Sequence, residues 1–99
     1  MDNFFSMNRI LMTTIDKKTR TVYIIYPISA SASETKQQIL NTMRGLNWKP
    51  TGTSHNTTLH GMPALSVGFH IPLLAIRSAD QILKSYLSTF GWKLFDENN

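Results

Sequence analysis

The chain contains no cysteine, which excludes a disulfide framework and a thiolate metal site and makes a reducing compartment, the cytoplasm, the economical expectation. Carboxylates are scarce. Asp2, Asp96 and Glu97 lie near the two ends, leaving Asp16, Glu34 and Asp80 between them. Glu34 and Asp80 stand where helices are expected to open and suit the positive end of a helix dipole. A paired-carboxylate or two-metal mechanism would need more acids than these. There is no G-x-S-x-G elbow and no glycine-rich phosphate loop. Long apolar runs are missing too: no window approaches the roughly 18 to 20 residues of a membrane span. The first twelve residues lack a basic leader and a small-residue cleavage site. The expectation is therefore a soluble, at most peripheral protein with no cofactor and no membrane partner.

What is present suits one folded domain over 1–99, with 1–8 and 96–99 expected to fray. The 99 residues are 41% hydrophobic and include five Phe, three Tyr and two Trp, enough for a single core and well outside the disordered class. The formal charge is +4, but between residues 3 and 95 ten Lys or Arg stand against three carboxylates, a local +7. Such a balance favours an anionic partner, nucleic acid being the commonest. Scattered surface lysines serve solubility just as well, and Lys17, Lys18 and Arg20 form the one cluster.

Ile, Val, Tyr and Thr are dense over Arg9–Ile15 and Thr21–Ile28, and the polar stretch from Asp16 to Arg20 between them reads as a hairpin loop. Phe4, Met7, Ile10 and Leu11 also fit one face of a short helix, an alternative that the spacing leaves open. Val22 to Tyr26 is apolar on both faces, as in a central strand, and Pro27 ends it. Ser31-Ala-Ser-Glu34 has the spacing of a capping box. Ala32, Ile39, Leu40 and Met43 then give the helix a core stripe, with Gly45 expected to terminate it. Pro50 to Leu59 looks like a Thr-rich edge strand. His60 to Pro63 reads as a turn, and Ala64 to Ile71 alternates cleanly, with Leu65, Val67, Phe69 and Ile71 on one face. Its other face, Ala64, Ser66, Gly68 and His70, is expected to look outward. Ser78-Ala-Asp-Gln81 opens a second helix with Ile82, Leu83, Tyr86, Leu87 and Phe90 as its stripe and Gly91 as its stop. Trp92 to Phe95 forms a last short strand.

Two halves emerge, each a strand, a Ser-led helix, a glycine and a Trp-Lys pair, repeating at about 45 residues. The order β-α-β-β-α-β, with a possible extra N-terminal strand, predicts an α+β domain of the ferredoxin-like, split βαβ kind: an antiparallel sheet with two helices on one face. The opposite face would be bare.

Candidate chemistry is sparse. His55, His60 and His70 fall in one predicted hairpin, with His55 and His70 able to share a side, but they lack helical ligand spacing and an acidic partner; no metal site is expected. Val22-Tyr23-Ile24 resembles the short aromatic motif of RNA-recognition domains and Gly68-Phe69 a fragment of the longer one, whose basic start and second aromatic are missing. Phe69, Trp48 and Trp92 read as core and Tyr23 as half-buried.

The strand ending Tyr26-Pro27 with serines after it, the run Met43-Arg-Gly-Leu-Asn-Trp48 closing the first helix, and the second helix opening at Ser78-Ala-Asp-Gln together resemble the antitoxin endoribonuclease GhoS and the CRISPR-associated ferredoxin-like nucleases. The resemblance spans roughly residues 20 to 90. It implies a sheet-mediated homodimer with a basic RNA-facing surface. Those families look to an acid at the end of the first strand; here that end is Ile25-Tyr26-Pro27, so no catalytic residue carries over and enzyme activity stays open. The expected function is an RNA-binding regulator, antitoxin-like or encoded by a phage or plasmid, preferring RNA to DNA and using Arg20, Tyr23, Arg44, Lys49 and His70. The alternative is a protein-interaction module, such as an inhibitor of a host enzyme.

Overall fold

The computed structural model describes residues 10–95. The segments expected to fray, 1–8 and 96–99, and Phe4 and Met7 of the alternative helix lie outside the described residues. In chain order the elements are β1 (Ile10–Asp16), β2 (Thr21–Pro27), α1 (Ala32–Met43), β3 (Pro50–Leu59), β4 (Met62–His70), α2 (Ala79–Thr89) and β5 (Lys93–Leu94). Two 3-10 turns, Arg44–Leu46 and Leu73–Ser78, follow α1 and precede α2. Strands and helices make an α+β domain whose five-stranded sheet runs β3-β4-β2-β1-β5. Every neighbouring pair is antiparallel except β1 with β5.

The β1–β2 hairpin forms as the β-branched runs predict, closed by the pair Asp16–Thr21. Its loop is held by the Asp16 carboxylate, which accepts from the Lys18 amide at 3.0 Å and the Thr19 amide at 3.4 Å, an Asx turn. In a plain β-α-β-β-α-β sheet the last strand stands beside the first. Here β1 occupies that place next to β2, and β5 is pushed outward to pair with Ile10 and Leu11.

Period-two alternation puts Leu11, Val22, Ile24, Tyr26, Val67 and Phe69 on one sheet face, where they pack with Ile39 and Met43 of α1 and Leu83 and Leu87 of α2. Both tryptophans close this layer, 5% and 2% exposed. Each fully buried aliphatic side chain contributes about 1.5–3 kcal/mol.

The helix ends depart from expectation in two ways. No capping box forms: neither Ser31 nor Ser78 makes a side-chain cap bond. The Ser31 hydroxyl instead lies 3.3 Å from that of Ser29, whose oxygen also accepts from the Ser31 amide; neighbouring serines compete for the hydroxyl that would have capped the helix. Nor does Gly45 terminate α1. The chain runs on through a 3-10 turn and Asn47 adopts the left-handed conformation, φ 61°. Gly45 is needed for closeness, because a Cβ there would collide with the Tyr86 hydroxyl, which donates to the Thr42 carbonyl. The Trp92 indole reaches the Thr42 hydroxyl at 3.3 Å, so Thr42 ties α1 to both α2 and the chain beyond it. Gly91 does stop α2, with φ +86° and paired bonds from Gly91 to Ser88 and from Trp92 to Leu87, the Schellman pattern.

The second sheet face is not bare. Ala64, Ser66 and Gly68 are buried, and the β4 positions on that face that are exposed, Met62 and His70, stand at its two ends. Two contacts cover it. At one end Ile25, Leu59 and Ala64 form a small cluster against Ile10, Met12 and Phe95. His60, in the two-residue turn with Gly61, sets its ring 4.6 Å from Phe95, although β3 and β5 are opposite edges of the sheet. The hairpin tip therefore curls back over the face. Further along, a Cβ on Gly68 would come within 2.9 Å of Thr51 Oγ1 and 3.3 Å of Tyr23 Cε1: these side chains occupy the space above the glycine. A bulge between Pro50 and Ser54 inserts two extra residues into β3, which bends the strand while keeping its faces in phase.

Two outcomes are expected. Gly45→Ala lowers the unfolding free energy by about 1–3 kcal/mol through overpacking, whereas Tyr86→Phe costs about 1 kcal/mol; denaturant melts measure both. Burial raises the Tyr26 phenol above its ordinary 10.0. Below pH 10.0 both folded and unfolded states keep the proton, and above it the unfolded chain ionises first, so stability falls as pH rises toward the folded-state pKa. Melts of Tyr26→Phe show a shallower alkaline decline.

Candidate functional site

At the end of the sheet away from the curled hairpin tip, three chain segments meet: the β1–β2 loop, the approach to β3 and the exit of β4. Backbone bonds lock them together. The Ile71 amide donates to the Arg20 carbonyl at 2.7 Å, and the His70 amide to the Lys49 carbonyl at 2.8 Å. Between them lies a cleft of about 320 Å³ lined by Thr19, Arg20, Asn47, Lys49, His70, Ile71 and Pro72.

Two of the lining residues hold left-handed backbone, Arg20 at φ 52° and Asn47 at φ 61°. Asparagine tolerates that region; arginine gains nothing from it, and the conformation costs roughly 1–2 kcal/mol for a residue with an unbranched Cβ. Hairpin geometry enforces it, because the loop must turn into β2 directly after the Asx turn. Asn47 is held by its amide, which donates to the Arg44 carbonyl at 3.0 Å.

The cleft brings together Arg20, Lys49 and His70, all exposed. Lys17 and Lys18 extend the same loop and are exposed. Among the described residues no carboxylate lines it, and Asp16 is engaged with loop amides. Among the described residues the one ion pair is Lys84 with Asp80, at 3.2 Å on α2, so none of these cations is paired with a described carboxylate. Tyr23 lies on the same sheet face, two residues along β2 from the Thr21–His70 pair, half-buried, with the His55 ring centroid 6.5 Å away at 67°. Arg44 does not join the group: it starts the 3-10 turn after α1 and is absent from the cleft lining. Thr19, Asn47 and Pro72 escaped sequence reasoning. An Asn just beyond a helix was the available signal for Asn47; nothing in the pattern pointed to the other two.

Chemically the arrangement offers fixed positive charge, amide and hydroxyl hydrogen-bonding groups and an imidazole, the equipment for holding an anion. Among the described residues no group of three His, Asp or Glu is placed to hold a metal ion, and no helix is long and apolar enough to cross a membrane. No protein-family model, no curated protein and no solved structure matches the chain. Fold and cleft together define a small α+β domain with a cationic sheet end.

Replacing Arg20 by glycine separates the two roles of that position. Arg20→Gly raises thermal stability, by up to about 1 kcal/mol, as left-handed strain is relieved, and at the same time weakens retention on a heparin column.

Proposed function

We propose that this chain is a small RNA-interacting regulatory protein that grips backbone phosphates at the cationic end of its sheet. The scaffold is read as ferredoxin-like with one strand, β1, inserted between the first and last strands of the split βαβ plan. The observation that carries the reading is the convergence of Arg20, Lys49 and His70 on one cleft that no carboxylate among the described residues lines. Lys17 and Lys18 broaden the positive field, which steers a polyanion toward the cleft. Tyr23, on the same face, offers an aromatic edge rather than a full stacking platform because its ring lies against Gly68. Arg44 contributes general charge from outside the cleft. The resemblance to antitoxin nucleases adds the expectation of a cytoplasmic, antitoxin-like homodimer of phage or plasmid origin, with RNA preferred to DNA. No catalytic residue is assigned.

A second reading, a protein-interaction module, is favoured by one feature. β3 is a sheet edge, and from Ser54 to Leu59 it carries neither charge nor proline, the devices that usually protect such an edge. An extended segment of a host protein would pair there.

Binding to a mixed-sequence single-stranded RNA, measured by fluorescence anisotropy over a salt series, tests the first reading. Affinity falls with salt, and Arg20→Ala or Lys49→Ala each flattens the log–log slope by about 0.7, while Arg44→Ala changes it less. Absence of binding at low salt, or binding indifferent to salt, overturns the proposal.

A further inference from the structure

The 3-10 turn Leu73–Ser78 leaves directly from the cleft wall, since Ile71 and Pro72 line the cleft and Leu73 and Leu74 come next. Leu73 is 67% exposed and Leu74 99%. This is not a frayed loop turned outward by chance. Ile71 is buried in the core, Ala75 and Ile76 pack against it, and the Ala75 amide donates to the Pro72 carbonyl at 2.9 Å. The inner side of the turn is thus anchored, and the two leucines are held out in water. Arg20 and Lys49 line the same cleft as Ile71 and Pro72, Lys17 and Lys18 precede Arg20 in its loop, and Arg77 belongs to the turn itself; all five are exposed.

We infer that this end of the domain docks on an anionic phospholipid surface, Leu73 and Leu74 entering the headgroup–acyl boundary while the surrounding cations contact lipid phosphates. Nucleic acid would account for the cations but offers no apolar phase for an exposed leucine pair. An anionic bilayer supplies both, a negative surface and hydrocarbon just beneath it. The inference does not depend on the RNA reading, because the leucines take no part in phosphate contact.

Co-sedimentation of the whole chain with vesicles tests it, comparing pure phosphatidylcholine with an equimolar mixture of phosphatidylcholine and phosphatidylglycerol. Partitioning into the anionic vesicles is expected, weak or absent with the neutral ones. The double variant Leu73→Ser, Leu74→Ser reduces it about a hundredfold with an unchanged thermal melt and unchanged RNA binding, since both side chains are exposed. Absence of partitioning at low salt overturns the inference, as does equal partitioning by the variant or equal binding to neutral vesicles. Loss of RNA affinity in the double variant, or of a protein otherwise captured from lysate, with no vesicle binding by the parent, overturns it in favour of that other partner.

Discussion

Strand β2 has to be dry on both sides, and the rest of the architecture follows from that. Val22, Ile24 and Tyr26 face the helices and Thr21 and Ile25 face the other way, all of them buried. Two helices cover one face, and among the described residues no third helix lies on the second. Cover comes instead from the sheet itself. The long β3–β4 hairpin, bent by the bulge at Gly52 and capped by the tight His60–Gly61 turn, folds back until His60 meets Phe95. Inserting β1 between β2 and β5 serves the same end, because it brings Ile10 and Met12 under the hairpin tip. A sheet that curls far enough for its two edges to touch is also one that cannot offer a flat face to a partner.

Curling divides the sheet into two unlike ends. One is closed by apolar contacts, and the other splays into three loops joined by two backbone bonds, with Arg20, Lys49 and His70 in the lining and no carboxylate among its described residues. In the proposed function, recognition is thereby moved from a face to an end. This matters for the chemistry: an open aromatic face would stack bases, whereas a cationic end reads phosphate and shape and carries little sequence information. Tyr23, which on a flat sheet would be a stacking residue, is instead spent on filling the space over Gly68.

Local patterns predicted local structure well. Alternation in β4, the β-branched runs of β1 and β2, and the apolar stripe of α2 as far as Leu87 fall where the sequence places them, because each depends on contacts within a few residues or on a face buried whichever neighbour covers it; Phe90, expected to end the stripe, lies beyond α2 and is 48% exposed. Non-local outcomes were illegible. Nothing in Ala64, Ser66 and Gly68 announces burial, since small residues suit an exposed face and a closely approached one equally. The failed capping box at Ser31 turns on a neighbouring serine rather than on spacing. At the cleft, charge density pointed to Arg20, Lys49 and His70, but which cations converge is set by β3–β4 register and the β1–β2 loop, and that excludes Arg44.

The two halves diverge at the very position where they looked most alike. Trp48 and Trp92 do the same work, each returning the chain after a helix into the core. The stops before them differ. After α2 the left-handed residue is Gly91, which has no side chain to present; after α1 it is Asn47, which lines the cleft. Gly45 is left free of that duty and lets the Tyr86 hydroxyl reach Thr42. Had glycine ended both helices, the repeat would have been more regular and the cleft would have lost its amide. Departure from the repeat is thus what converts a pair of equivalent helix ends into one structural joint and one cleft wall.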